Sequence, residues 1–292
     1  MNRAATIREA CLQASSSLRL QGVSDSDTSA EWLMQHVLGV TRSEMFMRWN
    51  EPLPEELRER WERMLLRRAT GEPVQYITGE QEFYGLPFHV TSAVLIPRPE
   101  TELLVEAIVE AGTQLWPGGR PLVADIGSGS GAISVTIAVR RPDWRVTATD
   151  ISEAALAVAR ENAERNGVAD CMQLYQGDLL EVYIREKLPV DILVSNPPYI
   201  ESAAIPELQS EVRLFEPSLA LDGGSDGLQF YRRILQQVDE LPYPPALIGF
   251  EVGAGQAREV AAWMEQCGHW DSIRMVSDLS GIERHLVGRR KI

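Results

Sequence analysis

Cysteine is scarce in this chain of 292 residues. Cys11, Cys171 and Cys267 are odd in number and far apart, which speaks against a disulfide framework or a cysteine-rich zinc site. The four histidines, at 36, 89, 269 and 285, are equally scattered and read as packing or surface residues, so no metal is expected. Long apolar runs are also missing. None follows Met1-Asn2-Arg3-Ala4, and none approaches the ~20 residues that a bilayer-spanning helix needs, so a cytoplasmic protein with no membrane association is expected. Basic charge is in deficit, with 28 Lys and Arg against 42 Asp and Glu, a net charge of −14. That sign is wrong for a protein whose affinity comes from neutralising phosphates, and it speaks against direct nucleic acid binding. Residues 1–80 hold 10 basic and 12 acidic residues, so most of the excess lies in the remainder. An acidic surface suits a basic protein partner and equally serves solubility.

Hydrophobic residues make up 44% of the chain, enough for one large or two modest domains. Helical patterns cover residues 7–20, 28–38 and 54–68, separated by Ser/Asp-rich and Pro-containing breaks. Ser24-Asp25-Ser26-Asp27 offers capping oxygens before the second helix, and Gly39 can end it. Arg58, Arg60, Arg63, Arg67 and Arg68 alternate with glutamates and read as a solvated face, with contact to a partner as the alternative. Residues 74–96 carry Gly79, Gly85 and Pro87 between short β-rich runs and suggest a connecting hairpin. The expected organisation is a helical domain at 1–72, a β-hairpin linker at 73–99 and a catalytic domain at 100–292.

The tetrapeptide Asn196-Pro197-Pro198-Tyr199 follows the apolar run Val190-Asp191-Ile192-Leu193-Val194, which places it at the carboxyl end of a buried strand. Open α/β sheets put their chemistry there. Two successive prolines hold a stiff, extended backbone with free carbonyls, Asn196 adds an acceptor, and Tyr199 adds a flat face. Together they read as a clamp for a planar NH2 group; the plain alternative is a strand ending in a Pro-Pro turn.

Upstream, Leu122-Val123-Ala124-Asp125-Ile126 runs into Gly127-Ser128-Gly129-Ser130-Gly131 and then a helix over 132–140. This strand, glycine turn and helix make a nucleotide-type site, since glycines allow positive φ and close approach while the helix start offers free N–H groups. The next strand, 145–149, ends in Asp150, placed to accept from the two hydroxyls of a ribose. A third strand, 171–176, closes with Gly177-Asp178-Leu179, which either borders an adenine ring or is a simple turn. Hydride-transfer enzymes have no need for the clamp, whereas amino-group methyltransferases do. S-adenosylmethionine is therefore the expected cofactor, with S-adenosylhomocysteine as its product. Farther on, strands are expected at 246–251, 273–277 and 283–287 and helices at 226–240 and 256–267; Gly253-Ala254-Gly255-Gln256 reads as a strand-to-helix turn.

The glycine turn, Asp150 and Asn196-Pro197-Pro198-Tyr199 together resemble the class I S-adenosylmethionine-dependent methyltransferases. Two longer motifs, Leu95-Ile96-Pro97-Arg98-Pro99-Glu100-Thr101-Glu102 and Glu216-Pro217-x-x-Ala220-Leu221-x-Gly223-Gly224-x-Asp226-Gly227-Leu228, resemble the HemK/PrmC family, and the resemblance covers nearly the whole chain. It implies an α/β fold, Rossmann-like with a seven-stranded sheet, preceded by a small helical substrate-recognition domain. It implies methylation of the side-chain nitrogen of a glutamine in bacterial peptide chain release factors. The implied cofactor site is Gly127, Ser128, Gly129, Ser130, Gly131, Asp150, Leu179 and Asn196. Substrate binding falls to Asn196, Pro197, Pro198 and Tyr199, with Asn196, Pro197 and Tyr199 catalytic. The segment around Arg98 and Glu100 is implied to lie beside the donor pocket, where either residue can brace the clamp, and residues 201–216 read as a cover over the substrate. A monomer is expected. Rival readings are an adenine-N6 DNA or RNA methyltransferase and a non-catalytic S-adenosylmethionine-binding adaptor.

Overall fold

The structure is a computed structural model that describes residues 5–291. The chain forms two compact units. The first holds the chain up to Gly79 together with Gln209–Phe215; the second holds Glu80–Leu208 and the chain from Glu216 onward.

The first unit is helical: α1 (Ile7–Leu20), α2 (Ser26–Leu38), α3 (Arg42–Met47), α4 (Glu55–Ala69) and α5 (Val74–Thr78). Thr6 caps α1 by accepting from Glu9 N while Glu9 accepts from Thr6 N, a reciprocal box that satisfies two orphan donors. Thr41 and Glu44 do the same for α3. Ile7, Leu18, Leu33, Met34, Trp61 and Met64 face inward and form the core. Gly39 ends α2 with φ 64°, as expected. Asp25 does not act as expected: it makes no capping bond and instead accepts from Ser29 Oγ at 2.9 Å and Arg68 Nη2 at 2.5 Å.

Arg68 likewise departs from the solvated-face reading. Its side chain is 2% exposed, and its guanidinium also reaches Ser29 Oγ at 2.9 Å, the Glu72 carbonyl at 3.1 Å and Glu211 Oε2 at 3.0 Å. Every part of the fork is used, so Arg68 binds three segments of this unit into one network. Arg63 by contrast pairs among the described residues only with Glu59, with both side chains well exposed. Arg68→Ala is expected to cost about 1–3 kcal/mol of stability in urea unfolding, and Arg63→Ala less than about 0.5 kcal/mol. Equal costs for the two would contradict this division of the arginine run.

The second unit opens with a hairpin, β1 (Glu80–Phe83) and β2 (Leu86–His89), rather than with the longer linker expected from residue 73. Asn162 fixes the hairpin by accepting from His89 N and donating to His89 O. Then follow α6 (Pro99–Leu115), β3 (Leu122–Ile126), α7 (Ala132–Arg140), β4 (Arg145–Asp150), α8 (Glu153–Arg165), β5 (Met172–Gln176), α9 (Glu181–Arg185) and β6 (Ile192–Ser195). The excursion α10 (Ser210–Phe215) belongs to the first unit, so residues 201–216 are shared between the units. The chain closes with α11 (Gln229–Val238), β7 (Leu247–Glu251), α12 (Ala257–Cys267), β8 (Ser272–Ser277) and β9 (Glu283–Arg289).

Seven strands form one sheet in the order β5-β4-β3-β6-β7-β9-β8, parallel throughout except for β9. Strands β3, β6 and β7 are buried along their whole length, which explains their largely apolar sequences; the exceptions, Asp125, Ser195 and Glu251, lie at or near their carboxyl ends. Val123, Ile192 and Leu247 pack with α6 and α7 on one face, while Ala124, Leu193 and Ile248 pack with α11 and α12 on the other. From β3 the chain moves outward through β4 to β5 and then returns to β6 on the other side of β3. That reversal opens a crevice beyond the carboxyl ends of β3 and β6.

Candidate functional site

The crevice holds a cavity of about 290 Å³ in the second unit. Its floor is the turn after β3. Gly127, Gly129 and Gly131 take φ of 73°, 53° and 77°, a region that costs other residues steric strain. Gly127 N and Ser128 N both donate to Thr149 O, and Gly131 packs so close to α8 that a Cβ would sit 3.2 Å from that of Ala159. Gly127, Ser128, Gly129 and Ser130 line the cavity; Gly131 does not, and its part is to start α7 against α8.

Asp150, at the end of β4, also lines the cavity. Its Oδ2 accepts from Gly129 N at 2.8 Å and its Oδ1 from Ser152 N at 2.9 Å, which fixes the carboxylate and leaves further lone pairs on both oxygens. Burial pushes its carboxyl above the ordinary range, against the pull of these backbone donors. Asp125 is fully buried two residues before Gly127. Its Oδ2 accepts from Ser134 N at 3.1 Å, while its Oδ1 and the Ser128 hydroxyl have no hydrogen-bond partner among the described residues. Burial pushes the Asp125 carboxyl up to about 7, with a smaller contribution from Asp150. Asp125 and Asp150 thus set two acids beside the turn. Leu179, held at φ 54°, borders the cavity beside Asp178, whose carboxylate is bonded to Arg233 at 2.6 Å.

The clamp begins next door. Ile126, the last residue of β3, pairs with Ser195, the last of β6, so the glycine turn and Asn196 leave the sheet side by side. Asn196, Pro197 and Pro198 line the cavity. Tyr199 does not; its hydroxyl points to Glu251 Oε1 at 3.4 Å and its carbonyl accepts from Gln256 Nε2 at 2.9 Å. Burial pushes the Tyr199 phenol up to about 12, so it stays protonated. Asn196 Nδ2 donates to Thr101 Oγ1 at 3.2 Å, and Thr101 donates to Glu251 Oε2 at 2.6 Å. Thr101, Glu251 and Gln256 were not among the expected site residues. Gln256 belongs to the turn read only as a strand-to-helix connection, and its Oε1 also accepts from Gly253 N.

Both long motifs surround the clamp. In the first, Thr101 meets Asn196, and Arg98 pairs with the buried Glu216 of the second at 2.5 Å. Glu216 also accepts from Ile96 N. Arg98 thus ties the first motif directly to the second. In the second motif, Gly223 N donates to Ile200 O and Ile200 N to Leu221 O, laying that segment along the clamp. A Cβ on Gly223 would come within 2.8 Å of Pro198 O, and one on Gly227 within 2.4 Å of Tyr199 O, so both positions need glycine for close backbone approach. His285 is fully buried with Nε2 3.9 Å from Glu251 Oε2, which fits a packing role. Among the described residues no three His, Cys, Asp or Glu side chains gather as a metal-ligand set, and no helix is long and apolar enough to cross a membrane.

A largely parallel seven-stranded sheet with this crevice defines a class I methyltransferase. Human METTL16 shares the fold: its N-terminal domain in complex with SAH gives a TM-score of 0.53 at 18% identity, over 70% of this chain and 76% of that one. The METTL16 catalytic domain bound to a 3′UTR hairpin gives 0.55 at 16% identity, over 80% and 82%. Residues 9–79 match the family model for the PrmC N-terminal domain, and residues 99–216 match the methyltransferase small domain. The release factor glutamine methyltransferase of Moorella thermoacetica is 42% identical over 286 residues, covering 98% of this chain and 99% of that protein. That of Geobacter sulfurreducens is 40% identical, covering 97% and 96%. The chain belongs to the release factor glutamine methyltransferase family and is an enzyme.

Proposed function

We propose that the protein transfers a methyl group from S-adenosylmethionine to the side-chain amide nitrogen (N5) of the glutamine in the Gly-Gly-Gln motif of bacterial peptide chain release factors. The observation that carries this reading is the pairing of Ile126 with Ser195, which brings the glycine turn and the clamp to one cavity. S-adenosylmethionine, when bound, supplies an electrophilic methyl group on a sulfonium. The chain's own acids fit it, with Asp150 disposed toward the ribose hydroxyls and Asp125 adding negative potential near the turn. Gly127 to Ser130 and Leu179 give backbone access and an apolar border.

Asn196 Oδ1 and the Pro197 carbonyl accept the two N–H groups of the target amide. Among the described residues neither oxygen accepts a hydrogen bond from within the protein, so both are available. An amide nitrogen is a weak nucleophile because its lone pair is delocalised. Acceptors on both N–H groups favour the positive charge that develops as the carbon–nitrogen bond forms and the carbon–sulfur bond breaks. The methylated, positively charged nitrogen then passes one proton to solvent water, which leaves the neutral N-methyl amide, and S-adenosylhomocysteine departs. Tyr199 anchors the clamp through its hydroxyl and carbonyl. The displacement needs no metal. The helical first unit is proposed to read the folded release factor at a distance from the glutamine, so that binding energy gathered there holds the target loop in place.

Radiolabelled donor with separate protein, DNA and RNA acceptors tests this function; label in release factor alone supports it, and label in nucleic acid would favour the adenine-N6 reading. Donor affinity tests the site. Asp150→Ala is expected to weaken it by ~10–100-fold, the scale of losing hydrogen bonds to a charged group. Because a cation favours ionised Asp125, wild-type affinity should rise as pH passes through about 7, where that carboxyl loses its proton. Asp125→Asn should flatten this part of the profile, and calorimetry across pH reads both effects.

A further inference from the structure

A side-chain amide has an acceptor end and a donor end, so Asn196 can serve the substrate only if something decides which end faces the cavity. Nothing within Asn196-Pro197-Pro198-Tyr199 makes that choice. The surroundings of Asn196 do. Thr101 is the third residue of α6 and is 4% exposed; Glu251 is the last residue of β7 and is 2% exposed. Phe250 pairs with Ser195, so Glu251 and Asn196 are the next residues along neighbouring strands.

The Thr101 hydroxyl has a single proton, and it goes to Glu251 Oε2 at 2.6 Å. What Thr101 has left for Asn196 is lone pairs, and these accept from Asn196 Nδ2 at 3.2 Å. As a carboxylate Glu251 only accepts, Oε2 from Thr101 and Oε1 from the Tyr199 hydroxyl at 3.4 Å; burial pushes its carboxyl up, and the bonds from Thr101 and Asn196 pull it back down. Turning the Asn196 amide over would set Oδ1 against the Thr101 lone pairs and the Glu251 carboxylate. With Nδ2 held inward, Oδ1 is the end left for the cavity.

We propose that Thr101 and Glu251 are positioning residues that fix the direction of the Asn196 amide, and that they thereby set the preference of the site for a target amide over a target carboxylate. This rests on the reading of Asn196 Oδ1 as an acceptor for the substrate. Without the Thr101 hydroxyl the Asn196 amide loses one of its two inward acceptors and is held by the Glu251 carboxylate alone, so the flipped amide, which presents N–H groups that repel a glutamine NH2 and welcome a glutamate, gains population. The relay therefore predicts two opposite changes from one substitution.

The test uses the full-length enzyme with Thr101→Val, which keeps the side-chain shape and removes the hydroxyl, and Thr101→Ser, which restores it. Thr101→Val should lower kcat on intact release factor by ~10–100-fold, the scale of one buried polar contact. It should also strengthen competitive inhibition by a release factor carrying glutamate at the target position by ~10-fold or more. Thr101→Ser should return both quantities toward wild type, and donor affinity, measured by calorimetry as a check of folding, should be unchanged in both. If Thr101→Val does not fold, Thr101→Ala replaces it with the same two readouts.

A fall in kcat with no change in inhibition by the glutamate variant would reduce Thr101 to packing and overturn the proposal. Unchanged kcat would overturn it too. The parent reading fails by a different result, retained turnover in Asn196→Ala.

Discussion

A release factor with glutamate in place of its target glutamine is expected to be methylated at least ~10⁴-fold more slowly than the unaltered factor, as for other sites built around substrate N–H groups. The reason is a count of donors. Glutamine brings two N–H groups to Asn196 Oδ1 and the Pro197 carbonyl; an ionised carboxylate brings none and sets negative oxygens against both. The penalty has two parts, acceptors left unpaired and direct repulsion, and neither is relieved by remote contacts elsewhere on the factor. Single-turnover incorporation of labelled methyl into the two factors measures it. A ratio below ~10² would mean that the amide N–H groups are not what the clamp recognises.

Asn196→Ala should lose ~10²–10³ in turnover, the usual scale for one preorganised partner of developing charge. Donor affinity should persist, because Asp150, Leu179 and the glycine turn are untouched, and the loss should fall on kcat more than on KM since the contact strengthens as charge builds on nitrogen. Wild-type turnover would remove Asn196 from the mechanism. A matching loss of donor affinity would make it a donor ligand first.

Much of the catalytic sheet is legible in the sequence because its central strands are buried on both faces and end in punctuation. Leu122 to Ile126 runs into glycines, Ile192 to Ser195 into Asn196 and two prolines, and Leu247 to Glu251 toward Gly253. Local chemistry also puts Asp150 at the end of its strand and Gly39 at the end of α2. The reading is poorer where a residue's role depends on segments far away in sequence. Arg68 looks like its exposed neighbours in the arginine run until Asp25 and Glu211 are brought to it. Thr101 looks like an ordinary residue of a helix first turn; its two bonds reach 95 and 150 positions along the chain. Gly223 stands out in sequence only as part of a motif, and its physical reason shows only when the clamp backbone lies against it. The six residues of α3 give too little periodicity to read, and α6 can start at Pro99 because proline fits a first helical turn.

The membership of Gln209–Phe215 in the helical unit has a consequence for how this protein can be recombined. A break at Gly79 looks like a clean modular joint when the chain is read from its start, and the family model for the first domain ends there as well. The module is nonetheless two pieces of sequence, the second inserted thirteen positions after Asn196. A chimera that exchanges only the first piece inherits a foreign Asp25 and Arg68 for the resident Glu211, so acceptor and donor come from different parents. Transplanting the specificity of one such enzyme to another therefore calls for a cassette with two inserts. The short insert, easily taken for part of the catalytic half, must travel with the helices whose arginine it meets.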